Sequence, residues 1–490
     1  MNKKTLIKKY FNIIIIILVM FMFSSILQAE VPYRNYVYDF WENVEPGPQA
    51  YLPSHEIRGQ DLGTKNFNNP RDIFYKDGII YILDTGNNRI VCLDKNLKLI
   101  RIIKQFREKD SFNNPHGLFV TDKGDIYVAD TDNKRVVHLN QKGKFIREIG
   151  SPKFELEGFR EGKFEYKPLK IVVDFAGRIN VVARDVLEGI ITYSSDGRFS
   201  GFIGAPEVDP DPMDLFWKMF STKEQRSRMS LFLPIEYNNF TLDDEGFILA
   251  VESGNAVRDT IKRLNPSGED ILKGIKNNSV HPPRGDFRPA GPSVFEDITA
   301  RGFGGFSVLA RSGRIFTYDK DCRLMYVFGG SGEKTGNFIS PIAITEIEKK
   351  IMVLDSSSRS VTVFKPTNYA HNIHQAKIMY NQGRYKKSDV HWQKVLGENI
   401  NFSPAYNGVG RNLYRQGKYK KAMNMFKLGQ NREGYSKAFR YFRRNYVEMN
   451  FSSILFIILF FIIFCYLIIK IKKKYLNKIV EKNQHEIASS

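Results

Sequence analysis

The sequence predicts a mainly β protein, with a six-bladed β-propeller, a small all-α module and one C-terminal transmembrane helix. Three observations support this fold class. Short strands recur in six units, each opened by a proline and divided by glycine-containing turns. Helical spacing with a 34-residue period replaces them after Pro366. An uncharged run of 19 residues, Phe451 to Ile469, is long enough to span a bilayer.

The composition is that of a globular protein with several domains. The chain has 490 residues, of which 42% are hydrophobic, and a formal net charge of +20. This apolar content excludes a disordered or collagen-like chain, and three cysteines are too few for a disulfide-stapled scaffold. The length predicts two or three domains. Cys92 and Cys322 belong to separate repeat units, so we expect both thiols to be free.

Residues 1–29 are predicted to be an export signal or an N-terminal anchor. Four lysines, the last of them Lys9, precede an uncharged run from Tyr10 to Ala29. A positive stretch before an apolar one is typical of export signals. Whether the segment is cleaved is left open, and in either case we expect the residues that follow to lie outside the cytoplasm.

A repeated pattern fills the next 300 or so residues and is clearest in segments 67–103 and 112–149. Pro70 and Pro115 are 45 residues apart, and Asp84 and Asp130 are 46 apart. Each unit has a proline-led strand, a glycine turn, a second strand, an Asp-Thr turn and two further strands. Weaker copies begin at Pro168, Pro234, Pro292 and Pro341.

The six units are expected to pack radially as blades, because one four-stranded unit cannot bury both of its faces alone. The sixth unit lacks an outermost strand. Segment 33–41, YRNYVYDFW, alternates like a strand and precedes the first unit. We expect it to complete the last blade and close the ring, which would remove exposed sheet edges.

These units resemble NHL repeats, most closely in PRDIFYKDGIIYILDTGNNRIVCLD and PHGLFVTDKGDIYVADTDNKRVVHLN. The resemblance implies an NHL-type β-propeller over residues 30–366. The plan of exported propeller, helices and membrane tail is similar to a membrane-bound NHL group of Gram-positive bacteria. That resemblance implies a link with sugar-uptake transporters.

Acidic residues at strand ends have two interpretations. They could form a ring of metal-binding or catalytic carboxylates around the channel. Alternatively, they accept backbone N–H groups within turns, which the recurrence of Asp at one motif position favours. No catalytic motif stands out, so the sequence predicts no catalytic residue, metal or cofactor. The residues are Asp84, Asp130, Asp185, Glu252 and Asp355.

An insertion at residues 205–232 interrupts the third and fourth units with what reads as two short helices. Phe216, Trp217 and Phe220 are too apolar for a simply solvated face. They are predicted either to form a lid or partner-docking ridge or to pack on the propeller.

Residues 367–449 are predicted to form a helical module. The motif around Tyr414, Gly417, Tyr419, Ala422 and Phe426 resembles the tetratricopeptide repeat, and a related copy lies 34 residues earlier. The resemblance implies helix pairs whose aromatic side chains interlock.

Most of the net charge lies in this helical module. The segment after Pro366 and up to Asn450 has 16 Lys or Arg and 4 Asp or Glu, a net charge of +12, whereas residues 30–365 are neutral. Contact with an anionic membrane surface, an acidic partner or wall polymer, or plain solvation all remain open. The predicted binding residues are Lys386, Lys387, Lys420, Lys421, Arg440, Arg443 and Arg444.

A transmembrane helix is predicted at residues 450–471, followed by a basic cytoplasmic tail at 472–490. Lys470 and Lys472–Lys474 place the C-terminus in the cytoplasm by the positive-inside rule. The sequence therefore predicts a membrane-anchored, extracytoplasmic interaction scaffold that binds a protein or glycan partner and no nucleic acid. The alternative is a propeller hydrolase or lactonase acting on an extracellular carbohydrate derivative. The oligomeric state is left open.

Overall fold

The computed structural model describes most of the chain between residues 31 and 488. The predicted export signal, residues 1–29, lies outside the described residues. Contacts divide the chain into two units, Met1–Ile378 and Met379–Ser490, with the division in the last turn of the first helix. The described ranges are 31–39, 41–152, 165–205, 220–222, 236–252, 260–272, 283–287, 291 and 293–488.

Six antiparallel sheets confirm the predicted six-bladed, mainly β fold. In chain order, blade one is β4–β7, blade two β10–β13, blade three β14–β17, blade four β18–β20, blade five β21–β24 and blade six β27–β29 with β3. The strands are β1 Tyr36–Tyr38, β2 Val44–Pro46, β3 Tyr51–Arg58, β4 Asp72–Lys76, β5 Ile79–Asp84, β6 Arg89–Asp94, β7 Leu99–Ile103, β8 Gln105–Arg107, β9 Asp110–Ser111, β10 Gly117–Val120, β11 Ile126–Asp130, β12 Arg135–Leu139, β13 Phe145–Ile149, β14 Pro168–Val173, β15 Ile179–Ala183, β16 Ile190–Tyr193, β17 Phe199–Ile203, β18 Tyr237–Leu242, β19 Ile248–Glu252, β20 Ile261–Leu264, β21 Phe295–Arg301, β22 Gly305–Ala310, β23 Ile315–Tyr318, β24 Leu324–Phe328, β25 Gly330–Ser331, β26 Asn337–Phe338, β27 Pro341–Ile347, β28 Lys350–Asp355 and β29 Ser360–Pro366.

The first strand of each blade is the innermost one. Contacts run from β4 to β10, β14, β18, β21 and β27 and then return to β4, so these strands surround a central channel. The second strands are buried on both faces because a neighbouring blade covers each side. In β5, Ile80 and Ile82 pack with blade six, whereas Tyr81 and Leu83 pack with blade two. The outer strand β7 is largely exposed.

A strand from the N-terminal part of the chain completes blade six, but it is not the strand that the sequence predicted. β3 pairs antiparallel with β29, from Ser360 opposite Arg58 to Pro366 opposite Tyr51. The expectation that segment 33–41 completes blade six was therefore wrong. That segment contributes β1, which pairs with β2.

The tyrosines of β1 bind a buried carboxylate beside blade five. The hydroxyls of Tyr36 and Tyr38 both donate to the buried carboxylate of Asp286, at 2.9 Å in the case of Tyr38. Arg314 of blade five pairs with the same carboxylate. The alternation in this segment therefore follows from its packing beside blade five.

A buried arginine joins the closing strand to blades five and six. At the end of β21, Arg301 donates to Ser307 Oγ at 2.7 Å and to the Tyr51 hydroxyl at 2.6 Å. Its Nε lies 3.1 Å from Glu346 Oε1 in β27. A buried charge is costly unless it is paired, so this network holds the three elements in one arrangement.

Five helices follow β29, and the first part of α1 packs on the propeller. His374 Nε2 lies 2.6 Å from the Tyr326 hydroxyl, and its ring stacks on Phe303 with centroids 4.6 Å apart. Lys377 pairs with the buried Asp319. The helices are α1 Asn368–Asn381, α2 Tyr385–Glu398, α3 Ser403–Arg415, α4 Tyr419–Leu428 and α5 Arg432–Ala488.

In the second unit, α2 to α5 pack in chain order. Trp392 of α2 lies against Gly408 of α3, where an added Cβ would come within 2.3 Å of the indole nitrogen. Phe426 of α4 occupies the equivalent place against Gly410. The two aromatic side chains thus fill space that α3 leaves open by carrying glycine.

The last helix, α5, is a single helix of 57 residues. Within the described part of the chain it is the one helix long and apolar enough to cross a membrane, with a mean hydropathy of 3.1 over its most apolar window. Nearly all side chains from Phe451 to Ile469 are exposed.

Replacing His374 should flatten the pH dependence of propeller stability. Burial, followed by the nearby Arg301, lowers the pKa of His374 well below its usual value, so the folded chain keeps the ring neutral. The unfolded chain takes up a proton below about pH 6.5. This contribution to stability is therefore complete above that pH and is lost as the pH falls, by up to about 1.4 kcal/mol per pH unit.

Thermal unfolding of the full chain in detergent between pH 7.5 and 5 tests this expectation. His374→Phe should have a lower midpoint at pH 7.5, since Tyr326 loses its partner, and a shallower loss on acidification. The exposed His55 provides a comparison in His55→Phe: burial lowers the pKa of His55 as well, but less than that of His374, so this variant should flatten the slope less. A native slope in His374→Phe would refute the assignment.

Candidate functional site

The acidic residues at the ends of β5 and β11 are turn anchors, as one of the two interpretations predicts. Asp84 accepts the Asn68 N–H at 2.7 Å, the Asn87 side-chain amide at 2.8 Å and Arg89 Nε at 2.6 Å. Asp130 repeats this pattern with Asn113, Asn133 and Arg135. These bonds use both oxygens of each carboxylate, which leaves them poorly placed to serve as ligands or bases.

The threonine after each anchor connects neighbouring blades. Thr85 Oγ1 donates to the Pro115 carbonyl at 2.6 Å, and Thr131 Oγ1 donates to the Pro168 carbonyl at 2.7 Å. The Asp-Thr pair therefore secures its own blade and the start of the next. This double role explains why the pair recurs together with the proline.

The other strand-end acids follow different local rules. Asp355 accepts the N–H groups of Ile339 at 2.7 Å and Ser340 at 3.0 Å, like the anchors above. Glu252 forms a buried pair with Lys262 at 2.9 Å. Asp185 is exposed and has a φ of 60°. Across the described ranges no three His, Cys, Asp or Glu side chains converge as metal ligands.

Inside the channel, charged groups from alternate blades replace the apolar residues expected of a core. Asp72 of β4 accepts Lys170 Nζ of β14 at 2.9 Å and the Leu118 N–H of β10 at 2.8 Å. Asp297 of β21 accepts the Ile344 N–H of β27 at 2.7 Å. Burial raises the pKa of Asp297 to about 7, with Lys170 opposing and Asp72 adding to the shift. Asp72 and Asp297 each bind the inner strand of the next blade.

Gly117 occupies the corresponding inner position of blade two. An added Cβ there would lie 2.4 Å from the Leu169 carbonyl oxygen, so only glycine permits this approach of β10 to β14. Gly117 therefore lets β10 approach β14 closely beside Lys170.

One mouth of the channel brings together polar residues that the sequence analysis did not select. Arg71 and His116 directly follow the repeat prolines of blades one and two, and Arg184 follows β15 in blade three. Glu296 of blade five pairs with Arg311 and accepts the Asn238 amide at 3.2 Å. We call Arg71, His116, Arg184 and Glu296 the channel mouth.

A departure from the repeat marks part of this mouth. Blades one and two have Asp-Thr after the second strand, whereas blades three and five have Ala183-Arg184 and Ala310-Arg311. The replacement of Asp-Thr by Ala-Arg can be seen in the sequence alone. The remaining members are ordinary strand-start residues.

A polar cavity of about 290 Å³ lies beside blade six and includes Glu56, Asp355 and Ser358 in its lining. Arg58 donates to Glu56 at 3.0 Å, and Asp355 is occupied by turn N–H groups. The cavity therefore offers mainly hydroxyl groups and compensated charges.

The structure places the basic residues predicted to bind a partner in the second unit, all with exposed side chains. Four of them cluster. Lys420 and Lys421 follow Tyr419, whose ring stacks on that of Tyr441 with centroids 5.4 Å apart. Arg440 precedes Tyr441, and Arg444 lies one helical turn after it.

Two further predicted residues lie at the same end of the helices. Lys386 and Lys387 follow Tyr385 at the start of α2. Arg415, at the end of α3, interacts with Tyr380 and Tyr385, and the hydrogen bond to Tyr380 raises the pKa of Arg415. Arg443 instead lies over the ring of Phe439, 6.0 Å from its centroid. The basic end is Lys386, Lys387, Arg415, Lys420, Lys421, Arg440 and Arg444.

The predicted apolar ridge is described only in part. Phe220 is 70% exposed. Phe216 and Trp217 lie outside the described residues.

Comparison with protein-family models matches residues 112–139 to the NHL repeat, which covers most of blade two. None of the curated proteins compared with the chain matches it.

Similar solved structures include virginiamycin B lyase from Staphylococcus aureus, with 14% identity, 64% of this chain and 98% of that chain covered, and a TM-score of 0.40. A streptogramin B lyase has 15% identity, coverage of 65% and 100%, and a TM-score of 0.38. The extracellular domain of a one-component system from B. thetaiotaomicron has 11% identity, coverage of 60% and 32%, and a TM-score of 0.36. At these scores the similarities carry no conclusion about what this chain binds.

Removing a turn anchor should destabilise the propeller strongly. Asp84→Ala leaves Arg89 as an uncompensated buried charge and the Asn68 N–H without its acceptor, a loss of about 3–5 kcal/mol. Urea unfolding of the full chain in detergent, followed by near-ultraviolet circular dichroism, measures the change. The matched control is Asp122→Ala, which removes an exposed carboxylate paired with Lys76 and should cost at most about 1 kcal/mol. Equal midpoints for the two variants would contradict the anchor role.

Proposed function

We propose that this chain is a membrane-anchored scaffold that displays its propeller outside the cytoplasm and binds a protein partner in the same membrane. The observation that carries the proposal is the continuity of α5. This helix carries the apolar run together with Arg440 and Arg444 of the basic end, and its Tyr441 stacks on Tyr419, the residue before Lys420 and Lys421, so one helix connects the binding groups to the anchor.

The apolar run of α5 supports the anchor. Nineteen residues at 1.5 Å each extend about 28 Å, close to the thickness of a bilayer core. Tyr446 precedes the run and Tyr475 follows it, as expected of aromatic side chains at the two interfaces. Such a large exposed apolar surface is unfavourable in water, and lipid would cover it.

The lysines after the run support a cytoplasmic C-terminus. Lys470 and Lys472–Lys474 begin directly at the end of the apolar residues. A predicted export signal at the N-terminus agrees with this orientation, because it would carry the intervening residues across the membrane.

The position of the basic end supports a partner close to the membrane. Tyr441 precedes Phe451 by ten residues, which is about 15 Å along a helix. The headgroup region extends roughly 7 Å beyond the bilayer core. The basic end therefore lies just above the headgroups, at the height of the juxtamembrane surface of a neighbouring membrane protein.

Its composition favours an acidic protein surface over lipid alone. Tyr414, Tyr419 and Tyr441 pack together, with ring centroids 5.4 to 5.7 Å apart, beneath the Lys and Arg side chains. Tyrosine and arginine are enriched in protein interfaces, where rigid rings bind at low entropic cost. The NHL resemblance suggests a sugar-uptake transporter as the partner, and tetratricopeptide-like packing of α2 to α4 would suit this role.

Cysteine labelling tests the orientation. Lys394→Cys and Lys474→Cys each place a thiol at an exposed position, before and after the span, while Cys92 and Cys322 are buried and Cys465 lies within the apolar run. A membrane-impermeant maleimide should label Lys394→Cys in intact cells and Lys474→Cys only after lysis. The reverse pattern, or labelling of both in intact cells, would contradict the proposed topology.

Partner capture tests the scaffold role. The full chain is purified from gently solubilised, crosslinked membranes, beside a variant with Lys420, Lys421, Arg440 and Arg444 changed to Gln. An integral membrane protein with an acidic juxtamembrane segment should co-purify with the native chain, and its yield should fall at least tenfold in the variant. The control changes Lys394 and Lys427, which are also exposed, to Gln. Equal yields from all three chains, or no specific partner, would count against the proposal.

A further inference from the structure

The channel mouth brings together two arginines and a histidine from three successive blades. The Arg71 N–H donates to the Leu83 carbonyl and the His116 N–H to the Ala129 carbonyl, both at 3.0 Å. These matching backbone bonds place the two residues at equivalent points of blades one and two. Arg184 enters from blade three, where its N–H donates to the Lys167 carbonyl at 2.9 Å.

Within the part of the chain that the structure describes, no ion pair neutralises the guanidinium groups of Arg71 and Arg184. Among the described residues, neither Arg71 nor Arg184 has a carboxylate within ion-pair distance, and Arg71 Nε is buried without an acceptor. Glu296 faces Arg71 but is already paired with Arg311. The mouth therefore presents donors that lack a matching acceptor.

The pKa values of Arg71 and His116 both indicate a positive electrostatic potential at the channel mouth. Burial, followed by Arg184, lowers the pKa of Arg71, while Glu296 opposes the shift. Burial, followed by Arg71, Arg184 and Lys170, lowers the pKa of His116 to about 4, against a smaller opposing effect of Asp132. His116 is thus neutral at physiological pH and offers one N–H donor.

Two acidic residues, Asp185 and Glu236, lie near Arg184. Burial and Asp185 raise the pKa of Glu236, whereas Arg184 lowers it. Glu236 also accepts a backbone N–H from Asp185, so this carboxylate of blade four is engaged with blade three. The side of the mouth formed by blades one to three remains positive.

We propose that the channel mouth binds an oxyanion group of a small molecule, a carboxylate or a phosphate, through Arg71 and Arg184, with His116 as a neutral donor. The planar fork of arginine matches two oxygens of such a group. A cleft lined by charges of one sign, with low-dielectric walls, also concentrates the field at its entrance. This site goes beyond the scaffold role and does not depend on the anchor or on the basic end.

Anion titrations of the full chain in detergent test the proposal. Inorganic phosphate and acetate are each added at constant ionic strength, with chloride as the reference, and the thermal midpoint gives the apparent Kd. At least one of the two anions should raise the midpoint in a saturable way, and the stronger of them identifies the oxyanion class. No response beyond that of chloride would overturn the site.

Variants identify the residues. Arg184 is exposed, so Arg184→Gln should fold and should raise the apparent Kd at least tenfold, while Arg184→Lys should give an intermediate value. Arg198 is 87% exposed in the turn before the outer strand of blade three, and Arg198→Gln is the matched control, expected to retain the native Kd. The same Kd in Arg184→Gln and Arg198→Gln would refute the assignment.

The titration of His116 supplies a readout independent of the thermal midpoint. Nuclear magnetic resonance of histidine-labelled chain should show its pKa rising by about one unit or more when the anion binds, because the anion offsets the field of Arg71 and Arg184. Arg184→Gln should raise the same pKa without ligand. A His116 pKa that shifts neither on anion binding nor in Arg184→Gln would count against the proposal.

Discussion

The pairing of β3 with β29 joins the two ends of the propeller chain, and the rest of the first unit depends on it. Without this pairing, blade six would have three strands and the ring would end in open edges. Arg301 reinforces the closure, because its guanidinium binds Tyr51 of the closing strand as well as blade five and Glu346 of blade six. The start of α1 packs beside the same network through His374 and Tyr326. Ring closure and the exit of the chain from the propeller are therefore secured by one set of buried polar contacts.

Within the ring, one short motif performs several tasks. Asp84 and Asp130 satisfy turn N–H groups and pair with an arginine, while Thr85 and Thr131 bind the next blade. Where the motif is kept, its polar groups are engaged in hydrogen bonds that hold the blades together. Where blades three and five replace it with Ala-Arg, a long side chain becomes free to reach the channel mouth. Variation among repeats thus separates structural positions from positions with room for binding chemistry.

The blade number, the strand order within blades and the turn role of Asp84 follow from local signals, because each depends on residues only a few positions apart. The closing strand does not. Segment 33–41 alternates more regularly than β3, whose sequence YLPSHEIR mixes proline and charges. β3 is an edge strand with one exposed side, whereas Tyr36 and Tyr38 of β1 donate hydrogen bonds to the buried Asp286. The channel mouth is equally nonlocal, since Arg71, Arg184 and Glu296 meet only after the ring has closed. Their convergence is a property of the topology and leaves little trace in any single segment.

The unbroken helix α5 has a mechanical consequence. A helix does not stretch, so any vertical shift or tilt of the apolar run moves Tyr441 and the residues packed on it by a corresponding amount. A bilayer that thickens or thins changes the preferred tilt of a spanning helix. In the proposed membrane arrangement, the height of Lys420 and Lys421 above the membrane therefore changes with bilayer thickness, because α5 transmits the movement without bending or stretching.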